Sequence, residues 1–370
     1  MAMGKCVNCG KENRLIAGIL GLCQRCILDD FAGCESHIQK VHQISREAFG
    51  LPVQPPRDKD GIQCNLCFNL CQLGPERKGY CGVRENVEGR KLRPSPKQGF
   101  FSWYYDPLPT NCVADWVCPG GTGAGYPNYS YAKGAEYGFK NLAVFYNGCS
   151  FNCLFCQNWH HREGLKERRT QSSFDLAQAV DESTSCVCYF GGDPSPHILH
   201  SIHSSRVAFA QREKRILRFC WETNGTMNTR FLEEILEIAA ESGGCVKFDL
   251  KTFHSSLNQA LCGRSNEQTK LNFELASSWI KKRKNPPLVV ASTLLVPGYV
   301  ERNEISHIAK FIASLNPDIP YSLLGFHPHF YLRDLPLTSR RHAEECKETA
   351  LETGVKKVRI ENVHLLGRDY

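Results

Sequence analysis

No apolar run in this 370-residue chain reaches the length of a membrane span, and its Met-Ala-Met-Gly-Lys start lacks the apolar core of a secretion signal. Excess charge of one sign is missing too: 45 Lys and Arg against 38 Asp and Glu leave a formal +7, spread along the sequence. The densest basic run, residues 281–284 (KKRK), has no aromatics alternating with its charges, and reads as the solvated end of a helix before Pro286 and Pro287. Neither a membrane nor a nucleic acid is therefore expected as a partner, and the cytoplasm is the expected compartment. No short internal repeat or cobalamin-type domain is evident.

Cysteine, by contrast, is abundant, at 20 residues. A disulfide scaffold would be short and loop-rich, whereas this chain is long and patterned into helices and strands. Clustered cysteines in a reducing compartment point instead to metal binding or redox chemistry.

Three regions follow from composition. Residues 1–50 form a four-cysteine, zinc-ribbon-like module with one long helix near residues 28–49. Residues 51–135 form a Cys-, Pro- and Gly-rich segment, with a linker at 51–61 and a flexible connection at 117–128. From 136 to 370, short apolar strands alternate with amphipathic helices. Strands are expected within 141–147, 186–192, 216–225, 245–251, 287–298 and 321–328, and a shorter one within 356–366. One of the intervening helices has Phe231, Ile235, Ile238 and Ala239 on one face, and another closes at Gly354. Such βα alternation implies a parallel sheet with outer helices, in the α/β class.

Ligands in these folds sit at the carboxyl ends of the strands. That rim carries Cys149, Cys153 and Cys156, then Gly191, Gly192 and Asp193, Glu222, Thr223 and Asn224, Asp249 and Lys251, and His327. Val296–Gly298 shares the rim but reads as a plain Pro-Gly turn. The C-x3-C-x2-C spacing suits three irons of a [4Fe–4S] cube with the fourth left open. A zinc site would need a fourth ligand, for which His160 or His161 is available.

C-x3-C-x2-C after the first strand, with Phe155 between the last two cysteines, resembles the radical S-adenosylmethionine superfamily. The resemblance covers about residues 141–366 and implies a partial (β/α)6 barrel. It also implies a [4Fe–4S] cluster on Cys149, Cys153 and Cys156, and cleavage of S-adenosylmethionine to a hydrogen-abstracting 5′-deoxyadenosyl radical. Gly191, Gly192 and Asp193 resemble the motif that binds the methionine amino group. Glu222, Thr223 and Asn224, with Asp249, Lys251 and His327, look like the S-adenosylmethionine contacts of glycyl-radical-enzyme activases such as pyruvate formate-lyase activating enzyme. This chain has Glu222 where those activases usually have Asp. The implied function is an activase-like oxidoreductase acting on a protein or peptide glycine, fed by a flavodoxin- or ferredoxin-type donor. A small metabolite or nucleoside substrate, or a non-catalytic metal-binding scaffold, are the alternatives.

Ahead of the barrel, Cys6, Cys9, Cys23 and Cys26 form paired C-x2-C knuckles, a four-thiolate site for which zinc is expected and rubredoxin-like iron is the alternative. Cys64, Cys67, Cys71 and Cys81 resemble the N-terminal segment of the AmmeMemoRadiSam group, most closely in GYCGVRENVEG, and suit zinc, which is preferred, or an auxiliary iron–sulfur cluster. Cys34, His37 and His42 read as packing or surface residues. So do Cys186, Cys188, Cys220, Cys245, Cys262 and Cys346. Cys112 and Cys118 precede the barrel and are candidates for a redox pair or for ligands.

Overall fold

The computed structural model describes residues 3–212, 215–368 and 370. An eight-stranded sheet organises the chain: β1 (Phe101–Pro107), β2 (Lys140–Tyr146), β3 (Thr184–Gly191), β4 (Arg218–Thr223), β5 (Val246–Asp249), β6 (Val289–Leu295), β7 (Tyr321–Gly325) and β8 (Val358–Glu361). Its spatial order is β8-β7-β6-β5-β4-β3-β2-β1, parallel from β2 to β8, with β1 antiparallel to β2. This is the α/β partial barrel expected. All seven strands read from the apolar runs are present, the last as the short β8. Phe101–Pro107 joins this sheet although its surroundings are rich in Cys, Pro and Gly. Its burial alternates too weakly to signal a strand, and pairing along β2 over seven residues makes it one.

The first and last strands of the order do not pair among the described residues, so the barrel is open. It is nonetheless curved, because Phe190 of β3, Glu222 of β4, Asp249 of β5, Leu324 of β7 and Glu361 of β8 all line one pocket. The register sets their heights, placing Glu222 beside Lys247, Cys188 beside Cys220, and Asp249 beside Ser292.

Helices cover the outside. The helix Thr229–Ser242 buries Phe231, Leu232, Ile235, Leu236 and Ala239, while Ile238 is half-buried at the edge of that face. It starts where Asn228 accepts from the Arg230 N–H at 3.2 Å and stops at Gly243, at φ +83°. The helix Arg340–Glu352 is capped by Thr353, with Gly354 one residue beyond at φ +105°. Among residues 281–284, the three lysines are exposed but Arg283 is buried and donates to the Gly244 carbonyl. The long N-terminal helix runs Phe31–Glu47, with the Asp30 carboxylate accepting from the Gly33 N–H.

The stretch expected to be a flexible connection, 117–128, instead begins within a plug. Residues 111–122 enter the barrel, where Trp116 Nε1 donates to Ser322 Oγ at 3.0 Å and that hydroxyl donates to the Val113 carbonyl at 2.7 Å. The four-residue helix Pro119–Thr122 follows, its start capped by the Cys118 sulfur. Loops are normally superficial because buried backbone must find partners; here strand side chains supply them. No helix of the described residues is long and apolar enough to cross a membrane.

Candidate active site

Residues 147–158 leave β2 as an irregular loop, and this loop carries the triad. It is fixed from below, since Asn152 N–H donates to the Cys262 carbonyl and Leu154 N–H to the Leu261 carbonyl. Cys149, Cys153 and Cys156 line a pocket of ≈ 340 Å³. Gly191, Gly192, Asp193, Glu222, Thr223, Asn224, Asp249 and Lys251 line it too. Of the predicted contacts only His327 is absent from these walls. It is exposed, its ring 6.3 Å from that of His329, on a surface where Trp159 stacks on Phe330. The loop after β7 turns outward there, and Trp159 Nε1 donates to His329 at 3.0 Å.

The three thiols do not converge on a point. No such trio among the described residues has all its sulfurs within 4.8 Å, whereas Cys6, Cys9, Cys23 and Cys26 do. Tetrahedral bonds of about 2.3 Å put thiolates about 3.8 Å apart. The front four therefore suit a single ion, and the triad suits a larger, many-atom group. Burial raises the Cys149 thiol well above its ordinary value, and the Asp193 charge adds to this. Cys153 is raised by a hydrogen bond with Cys262 and by burial. Cys262 does not line the pocket, so it leaves the space before the triad open. For Cys156, raised by burial, the Arg162 charge acts in the opposite direction.

Two further residues line the pocket, Arg162 without any prediction from the sequence and His161 expected there only as an alternative fourth zinc ligand. His161 Nδ1 and Arg162 Nη1 are buried without a protein partner. An unpaired buried guanidinium N–H is costly, so Arg162 fits an anionic group in the pocket, while burial keeps the His161 ring neutral. Arg162 Nη2 is held by Asn152 Oδ1 at 3.3 Å. The only signal was position, since WHHR follows the triad directly. Glu361 and Asn362 also line the pocket, at the carboxyl end of β8, where the strand-end rule would have found them.

The glycines form a cradle. A Cβ on Gly191, at φ +112°, would meet the Tyr146 backbone, and one on Gly192 would drive into the Gly148 carbonyl and the His161 ring. Asp193 is committed to the protein, because Oδ1 accepts from Thr223 Oγ1 at 2.9 Å and Asn224 N–H at 2.8 Å, while Oδ2 accepts from Ser195 N–H at 2.8 Å. Burial raises its carboxyl even against these donors. Asn224 Nδ2 donates to Ser150 Oγ at 2.9 Å and reaches Cys149 Sγ at 3.7 Å, tying the ETNG turn to the triad loop. Asp249 accepts from Lys251 at 2.6 Å and Ser292 at 2.8 Å. Burial opposes the Lys251 charge, but Asp249 and Cys153 outweigh it and keep the ammonium protonated. Glu222 accepts from Lys247 at 2.7 Å and forms part of the pocket floor. The donor set, the cradle and the unpaired Arg162 N–H together fit an iron–sulfur cluster with a zwitterionic ligand.

Cys64, Cys67, Cys71 and Cys81 are all buried, with no three sulfurs mutually within 4.8 Å. They adjoin the triad loop, since Asn69 Nδ2 donates to the Ser150 carbonyl at 2.9 Å and Phe68 N–H to the Thr226 carbonyl at 3.0 Å. Cys34, His42, Cys262 and Cys346 are buried packing residues. Cys186, Cys188, Cys220 and Cys245 share a cavity with Cys112 and Cys118.

The chain is similar to known proteins over parts of its length. A sequence model described as the Radical SAM superfamily matches residues 143–312. Uncharacterized protein MJ0808 of Methanocaldococcus jannaschii is 22% identical over 330 residues, 83% of each chain. MJ0674 of the same organism is 21% identical over 227 residues, 58% of this chain and 61% of that one. A solved domain of pyruvate-formate lyase-activating enzyme from Bacteroides vulgatus aligns with TM-score 0.38 and 20% identity, over 48% of this chain and 98% of its own. Streptococcus suis SuiB bound to precursor peptide SuiA aligns with TM-score 0.45 and 16% identity, over 59% and 47% respectively. The family match covers just under half of the chain, and over residues 143–312 it supports the radical SAM superfamily, whose members use S-adenosylmethionine and a [4Fe–4S] cluster.

Proposed function

We propose that this chain, as a radical SAM superfamily enzyme, is an activase-like oxidoreductase that takes a hydrogen atom from a protein or peptide glycine. The observation that carries the radical reading is the meeting of three separated thiols and three of the expected strand-end motifs on one ≈ 340 Å³ pocket. Cys149, Cys153 and Cys156 would hold the cluster. Its chemistry, when bound, is one-electron cleavage of S-adenosylmethionine to methionine and a 5′-deoxyadenosyl radical.

The chain's own residues position and exclude. Gly191 and Gly192 open the backbone to the ligand, and Asp193 locks the ETNG turn so that Asn224 faces the triad. Asp249, Lys251 and Glu222 supply the charges for the amino acid end of S-adenosylmethionine. Phe155, Phe190, Leu294 and Leu324 keep water from the reacting end. Arg162 offers its unpaired N–H to the anionic centre. A macromolecular hydrogen donor is supported by the aromatic surface beside the triad loop, where the Trp159 and Phe330 rings stack 5.8 Å apart at 14°.

Of the accessory metals, Cys6, Cys9, Cys23 and Cys26 take zinc, as their close approach favours. The wider spread of Cys64, Cys67, Cys71 and Cys81 favours an iron–sulfur cluster over the zinc preferred from sequence. Electrons come from a flavodoxin- or ferredoxin-type protein.

Anaerobically reconstituted, dithionite-reduced protein given S-adenosylmethionine should yield 5′-deoxyadenosine, read by liquid chromatography. A Cys149→Ala/Cys153→Ala/Cys156→Ala variant should yield none. Equal product from both would refute the radical reading. A glycine donor is checked by deuterium transfer from a glycine-deuterated peptide into 5′-deoxyadenosine.

A further inference from the structure

Six of the 20 cysteines gather where the proposed reaction has no use for them. Cys112, Cys118, Cys186, Cys188, Cys220 and Cys245 line a cavity of ≈ 110 Å³ inside the barrel. Asn111, Cys112, Phe190 and Glu222 are walls of both this cavity and the triad pocket, so the two spaces adjoin. We propose that this inner cavity holds a further cysteine-ligated iron–sulfur cluster, on Cys112, Cys118, Cys220 and Cys245, with Lys247 as its hydrogen-bonding cation.

The ligands come as two pairs from opposite sources. Cys220 lies on β4 and Cys245 immediately before β5, with sulfurs 4.0 Å apart. That is close to the about 3.8 Å edge of a sulfur tetrahedron around one metal with bonds of about 2.3 Å. Cys112 and Cys118 arrive on the plug and pack with Cys220 and Cys245 around Ala114 and Val290. No three of these sulfurs lie mutually within 4.8 Å. A single ion would not gather the four, whereas a centre with several irons suits two separate pairs.

Lys247 supplies an independent observation. Its ammonium is buried and donates to Cys112 Sγ at 2.9 Å, Cys188 Sγ at 3.2 Å and Glu222 Oε1 at 2.7 Å. Two of its three donors thus go to sulfur, and the Cys112 and Cys188 thiols lie 3.4 and 3.9 Å from the same Glu222 oxygen. N–H bonds to ligand sulfur are the usual outer-shell support of a cluster. The packing explanation serves Cys262 and Cys346, which are fully buried within the apolar core. It does not explain six thiols facing open space around a buried cation.

A further argument rests on the radical reading proposed above. A thiol S–H yields its hydrogen to a carbon radical more readily than almost any C–H bond. A free Cys112 thiol on the wall of the radical's pocket would quench it before substrate did. Ligation of Cys112 to iron removes that S–H bond.

The test counts iron in the Cys149→Ala/Cys153→Ala/Cys156→Ala full chain, which cannot carry the triad's cluster. Adding Cys220→Ala and Cys245→Ala should lower iron by about two to four atoms per chain, with matching loss of sulfide and of cysteine-ligated iron in the Mössbauer difference spectrum. Unchanged iron and sulfide, or zinc alone in this cavity, would overturn the proposal. Should those variants fail to fold, anaerobic alkylation of reconstituted wild-type protein decides. Cys112 and Cys118 should label at least tenfold more slowly than after iron chelation, and equal labelling would overturn the proposal. Neither readout involves S-adenosylmethionine. Wild-type protein that retained barrel iron but formed no 5′-deoxyadenosine would sink the radical reading and leave this one standing.

Discussion

Glu361 shows how burial alone can make an ordinary side chain responsive near neutral pH. It lines the triad pocket, and one of its buried oxygens makes no hydrogen bond. Burial raises its carboxyl to about 7, against the opposing charge of Arg359 and with help from Asp115. The folded protein thus holds a proton that the unfolded chain releases near pH 4.5. The contribution of Glu361 to stability is therefore undiminished below that pH, falls as pH rises towards about 7, and stays low above it. In Glu361→Gln this slope should vanish, so the melting-temperature difference between variant and wild type should grow in the variant's favour from pH 5 to pH 7. A constant difference across those pH values would contradict the assignment. The sequence shows Glu361 only as a polar residue ending a short strand. Its proximity to Arg359, 3.1 Å away on the same strand, is local, but its burial depends on the plug and pocket.

Between elements, the firmest polar link joins the segment ahead of β2 to β4. The Glu136 carboxylate accepts from Arg218 at 2.9 and 2.6 Å, from Tyr131 N–H and Ser130 Oγ, and from Ser185 Oγ at 2.8 Å on β3. Both charged side chains are almost wholly buried. Removing one partner from such a pair strands the other, at a cost of about 3–5 kcal/mol. Glu136→Gln should lower the unfolding free energy by about that amount in denaturant titrations, and Glu136→Gln with Arg218→Met should recover part of it. Neither residue is conspicuous in the sequence. Seven strands were legible there because apolar runs of strand length bounded by turn residues have a local cause. Phe101–Pro107 was not, since its strand character comes from pairing with β2.

Across the whole molecule, the Cys-rich front and the barrel share one apolar core, which contains Cys6, Cys23 and Cys26 as well as the β-strand residues. Tyr299, in the turn after β6, pins the two together. Its hydroxyl accepts from Ala17 N–H at 3.0 Å and donates to the Leu22 carbonyl at 2.9 Å, while its own carbonyl accepts from Gln24. In Tyr299→Phe both groups lose a buried partner, a loss of about 1–3 kcal/mol. Hydrogen exchange over residues 15–27 should accelerate while exchange in the central strands holds, and unchanged exchange would show the front to be held without the tyrosine. Val296–Gly298 therefore matters through the tyrosine that follows it.

The sequence by itself determined the α/β class, the strand positions, and the identity and spacing of the triad and of the front knuckles. All of these depend on residues near one another along the chain, where periodicity and ligand spacing act directly. Only the tertiary structure decided that residues 111–122 enter the barrel, that His327 turns away from the pocket while Arg162 enters it, and that six cysteines from the plug and three strand regions surround one cavity. Those outcomes depend on register and on which distant groups satisfy each buried donor, a choice made when the sheet curls and the chain closes on itself.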